Sequence, residues 1–143
     1  LGDKEVLISL GCHSGDHAIY PDCRPEFYKS LIKSLKIGNW GGELVFDYMP
    51  YIDYSKADIL KETLNMVKTL NLDHKTIYSN TNTSYSPDKN GVSPGDTGSD
   101  IERILAFNEV GLEDPVQYKK GWGSALKNAL KVEEDYKKEQ NNS

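Results

Sequence analysis

The chain has 143 residues, enough for one domain with a real core. Its 37% apolar and 27% charged residues are ordinary for a globular chain, and no run of about 18 apolar residues offers a membrane span. The net charge of −5 argues against a nucleic-acid partner, which needs a basic patch.

Leu1 is neither Met nor the start of a signal-like stretch, as in a processed or trimmed form. Val6 to Leu10 is a continuous apolar run ended by Gly11, the pattern of a strand buried on both faces of a parallel sheet. A polar loop follows. Pro25 suits the first turn of a helix whose face carries Phe27, Leu31, Ile32 and Leu35, with Gly38 as its stop. Glu43 to Met49 reads as a second strand, bounded by Gly42 and Pro50. Ser55 and Asp58 resemble a capping box opening a helix with Leu60, Leu64 and Val67 on one stripe, widened by Ile59, Met66 and Leu70 and ended by Asn71.

Lys75 to Ser79, with TIYS at its centre, reads as a third strand. Residues 80–99 are rich in Asn, Ser, Gly and Pro and form a long loop. Ser99 and Glu102 suggest a second capping box, opening a helix with Ile101, Ile104, Leu105 and Val110. Asp114-Pro115 looks like a cap and a first-turn proline for a last helix carrying Val116, Leu126, Ala129, Leu130 and Val132. Gly121 and Gly123 flank Trp122 and should bend or interrupt it, and its lysine- and glutamate-rich end should fray. Strands alternating with helices predict an α/β fold with parallel strands, either barrel-derived or a small three-layer sandwich, in a single domain over 1–143.

Cys12 and Cys23 lie eleven apart, which allows a local disulfide in a secreted chain or two reduced thiols otherwise. Cys12, His13, Asp16, His17 and Cys23 are zinc-type ligand residues. Gly15 between the two histidines argues against the helix that a paired-histidine site uses, so the loop reads as polar with no metal, and no cofactor is expected. Asp88, Asn90, Asp96 and Asp100 miss the calcium-loop spacing, and turn chemistry accounts for Asp88-Lys89-Asn90-Gly91. Asn82-Thr83-Ser84 and Asn141-Asn142-Ser143 match the glycosylation triplet. Aromatic residues cluster near expected strand ends, where sugar rings can stack while carboxylates take hydroxyls. Trp40, Asp47, Tyr48 and Tyr78 are the candidate ligand-facing residues, with the loop 11–23 as a rim.

The string VLISLGC, then Arg24, Phe27, Ser30 and Leu35, then Trp40-Gly41-Gly42 and Pro50, resembles the third and fourth strands of family 18 glycoside hydrolases, the chitinase-type barrels. The resemblance runs over residues 4–85. That family places four acidic residues on its fourth strand; here Gly41, Leu44, Phe46 and Tyr48 stand there, so no general acid remains. The resemblance therefore implies a non-catalytic domain that binds an oligosaccharide or a protein, and only a segment of a barrel that needs roughly 250 residues.

Cys12-His13-Ser14-Gly15 also resembles the nucleophile segment of caspase-like peptidases, the metacaspases. That implies Cys12 as nucleophile, but a thiol needs a positioned base, and the family's histidine lies in an HG pair before the cysteine, where this chain has none. A third expectation is a structural domain of a larger assembly.

Overall fold

The computed structural model describes residues 4–141, so the triplet 141–143 lies partly outside the described residues. The chain forms two compact units, Leu1–Ser55 and Lys56–Ser143.

In the first unit, β1 (Val6–Ser9) and β2 (Val45–Tyr48) pair in parallel, Val6 opposite Val45 and Ser9 opposite Tyr48. They are joined through α1 (Pro25–Gly38). Pro25 sits in the first turn, where its missing N–H costs nothing, with Glu26 beside it and Lys36 in the last turn, both complementing the helix dipole. Its buried residues are Tyr28 and Ile32, one turn apart; of the expected face, Ile32 is buried, Leu31 and Leu35 are half-buried and Phe27 is exposed. In β1, Val6 and Ile8 are half-buried while Leu7 and Ser9 are exposed, and in β2 only Val45 is buried. The expected burial on both faces is thus replaced by alternation, with one face covered. Gly42 opens the turn into β2 directly over α1: a Cβ there would lie 1.9 Å from the Lys36 carbonyl oxygen.

The second unit is helical: α2 (Lys56–Thr69), α3 (His74–Ser79), α4 (Gly98–Glu109) and α5 (Gly121–Asn141), with one isolated parallel bridge between Ser93 and Tyr118. Helix α4 is its centre. Ala106 and Phe107 pack with Ala57 and Leu60 of α2, while Ile104 packs with Ala125 and Ala129 of α5. Lys56–Glu102 at 2.6 Å and Lys61–Glu109 at 2.7 Å add ion pairs from α2 to α4.

The α/β class with parallel strands holds, as does the end of α2, where Asn71 takes a left-handed φ of 52°. Four sequence expectations are corrected. Lys75–Ser79 is helical, because the Asp73 carboxylate caps it by accepting from the Lys75 and Thr76 amides. The capping box of α4 is Thr97 with Asp100, two residues before the expected pair. Asp114-Pro115 opens no helix; α5 begins at Gly121, so Trp122 lies in its first turn and Val116 outside it. Leu130 and Val132 of α5 are exposed, and its core contacts are Ala125 and Ala129.

Candidate functional site

Parallel strands bring their C-terminal ends to one edge, and loops leaving that edge are where α/β proteins hold ligands. After β1 the chain makes two tight 3₁₀ turns, Ser14–Asp16 and Pro21–Cys23, before α1. His13 caps the first: its Nδ1 accepts from the Gly15 amide (3.1 Å), and the Asp16 Oδ2 accepts from the His13 amide (3.2 Å). With Nδ1 accepting, the ring proton sits on Nε2, which lies 3.5 Å from Asp16 Oδ2. Ser14 donates from both its amide and its Oγ to the Tyr54 carbonyl, tying this loop to the one after β2. Arg24 Nε donates to the His17 carbonyl (2.9 Å). His17 Nε2 is buried without a hydrogen-bond partner.

These turns fold the loop back on itself and bring Cys12 and Cys23 together, Sγ to Sγ 3.5 Å, both as free thiols. Asp16 joins them: the three ligand atoms lie within 4.8 Å of one another. The Tyr28 hydroxyl is 2.6 Å from Cys12 Sγ, with either group able to donate. Burial, the Cys12 contact and the negative Asp16 and Asp22 push the Cys23 thiol up to about 11. Burial and the same contact raise the Tyr28 phenol above its usual range. Of the ligand types noted in the sequence, the two cysteines and Asp16 come together, while His13 serves as a cap. Tyr28, which completes the group, carried no sequence signal beyond its spacing from Ile32.

Trp40 is 97% exposed before the turn into β2, and Asp47 and Tyr48 are exposed on β2 at successive positions, hence on opposite faces. Tyr78 belongs to the second unit, where its ring packs edge-on against Phe107 and its hydroxyl meets Thr63 Oγ1 at 2.6 Å. In the same unit, Arg103 donates to Asp114, Thr81 Oγ1 and the Tyr78 carbonyl. Asp88 accepts from the Asn90 and Val92 amides, the turn role expected of residues 88–91, while Asp100 accepts from those of Gly95 and Thr97 at the start of α4. An open cavity of about 730 Å³ lies beside this network, lined in part by Lys75, Glu113, Gln117 and Trp122. No helix among the described residues is long and apolar enough to cross a membrane.

A family model described as "Queuosine biosynthesis protein QueC" matches residues 3–111. "7-cyano-7-deazaguanine synthase 2" of Colwellia psychrerythraea is 43% identical over 111 residues, 78% of this chain and 45% of its own length. The "7-cyano-7-deazaguanine synthase" of Caldicellulosiruptor bescii is 37% identical over 120 residues, 82% of this chain and 47% of its own. That of Rickettsia rickettsii is 35% identical over 125 residues, 82% and 51%. The chain spans about half the length of the curated relatives it matches. No solved structure matches it.

These matches correct the functional expectations. The likeness to family 18 glycoside hydrolases, with its barrel and its oligosaccharide-binding role, is overturned, and so is the caspase-like reading of Cys12. The physical reason is plain. A strand–turn–helix–strand unit with glycines at its corners satisfies the outline of many α/β families. Cys12, moreover, hydrogen-bonds to Cys23 and Tyr28, neither of which is a base.

Proposed function

We propose a function from one premise: the chain belongs to the QueC family. It takes part in making 7-cyano-7-deazaguanine, the product that names its curated relatives. Its contribution is the loop between β1 and α1. The observation that supports this reading is the extent of the family match, which takes in the whole loop from Cys12 to Tyr28 together with both strands that position it. A cyano-deazaguanine is a planar heterocycle with a donor and acceptor edge. The loop offers matching groups on a fixed frame: the Asp16 carboxylate, two thiols and turns pinned by His13 and Ser14.

Two measurements test it. In cells lacking their own synthase, expression of the chain should restore 7-cyano-7-deazaguanine, read by mass spectrometry. Calorimetry should show the purified chain binding that compound, with binding lost in Asp16→Ala. Absence of both product and binding would overturn the reading.

A further inference from the structure

We propose that Cys12, Asp16 and Cys23 form a binding site for a divalent ion of the zinc type, with a fourth position left open. The inference stands on these side chains alone. The metal test below can succeed while the product assay fails, and the reverse.

The geometry carries it. Two thiolates on a tetrahedral zinc, each about 2.3 Å from the metal, sit about 3.8 Å apart. Cys12 and Cys23 are already 3.5 Å apart, so ligation asks for only a small opening. The Asp16 oxygen lies within 4.8 Å of both sulfurs. The His13 amide and Nε2 both approach Oδ2, which fixes the carboxylate in place. Two sulfurs and one carboxylate select a borderline-soft ion over magnesium or calcium, which take oxygen ligands. Three protein ligands with an open place is the arrangement of zinc sites that hold water or a substrate atom.

The surroundings agree. The Tyr28 hydroxyl contacts Cys12 Sγ and His13 fixes Asp16, which are the outer contacts that orient metal ligands. The Asp16 carboxylate beside the two sulfurs also supplies the negative charge that favours a cation there. On ligation each thiol releases its proton to solvent, and no oxidant or reductant is needed.

Cobalt(II) titration of the reduced full chain reads this directly. One equivalent should bind, with a thiolate-to-cobalt charge-transfer band and visible bands of tetrahedral intensity, and zinc should displace it. Cys12→Ser and Cys23→Ser should each lower the charge-transfer intensity, and the double variant should abolish it. Tyr28→Phe, which keeps every ligand, should weaken binding by about 10- to 100-fold. Circular dichroism confirms that each variant is folded. If the cysteine variants fail to fold, Asp16→Asn gives the answer by weakening binding with the charge-transfer band retained. No charge-transfer band in the parent chain, or an unchanged one in the folded double variant, would overturn the proposal.

Discussion

Asp114 grips Arg103 with both carboxylate oxygens: Oδ2 accepts from Nε at 2.5 Å and Oδ1 from Nη2 at 2.9 Å, with both side chains buried. The same carboxylate accepts the Tyr118 hydroxyl and the Val116 amide, while Arg103 reaches the Tyr78 carbonyl. One ion pair thereby joins the middle of α4 to the segment before α5 and to the end of α3.

Removing one partner leaves the other charged and dry. Asp114→Ala should cost about 3–5 kcal/mol, and so should Arg103→Ala. The double variant should cost less than the sum of the singles, because neither charge is then stranded. Denaturant unfolding of all four proteins measures the coupling, and strict additivity would contradict it.

Tyr118 gives the second unit an alkaline limit. Burial and its hydrogen bond to Asp114 raise the phenol above its ordinary value. An acid whose folded pKa is raised contributes stability that is fully present below the unfolded pKa, near pH 10 for tyrosine, and is lost as pH rises toward the folded value. The melting temperature should fall as pH climbs above about 10. Tyr118→Phe should melt lower at neutral pH but show a shallower alkaline decline. An equal decline in both proteins would remove Tyr118 as its cause.

Gly42 is set by space rather than by φ. Its missing Cβ would meet the Lys36 carbonyl at 1.9 Å, and backbone on both sides must then move. Gly42→Ala should destabilise the first unit by about 1–3 kcal/mol, the range of overpacked sites. Gly11→Ala is the control, with nothing within 4 Å of the added methyl. Thermal unfolding of the two variants should separate them clearly.

Cys23 should be a slow nucleophile at neutral pH. A thiol held at about 11 has about one molecule in ten thousand as thiolate at pH 7. Its alkylation by iodoacetamide, followed by peptide mass spectrometry, should rise about tenfold per pH unit toward pH 11. A plateau near pH 8 would show an ordinary thiol.

Much of the first unit was legible. Val6 to Leu10, Pro25, Gly42 and Pro50 mark a strand, a helix and a second strand by rules that act within a few residues. The helical state of Lys75–Ser79 was hidden because its β-branched and aromatic composition favours a strand, while the deciding cap, Asp73, stands outside it. Packing of Tyr78 on Phe107 then holds the helix through a residue 29 positions away, which no local pattern reports. The loop cysteines were visible as candidates. Their meeting point with Asp16 depends on two consecutive 3₁₀ turns, and nothing in their spacing announces these. Asp114 reads as a helix cap and Arg103 gives no local signal, yet the fold removes the two from water together.

Val6 through Ser9 run beside Val45 through Tyr48 in the same direction, and Ser14 is bonded to Tyr54 where the two paths emerge. Scaffold and working surface are therefore separate inheritances: sequence drift in the emergent segments can alter what is recognised without disturbing the ladder beneath. A length change in one of them, however, drags on the other through that shared carbonyl, so the two should vary in concert across descendants of this chain.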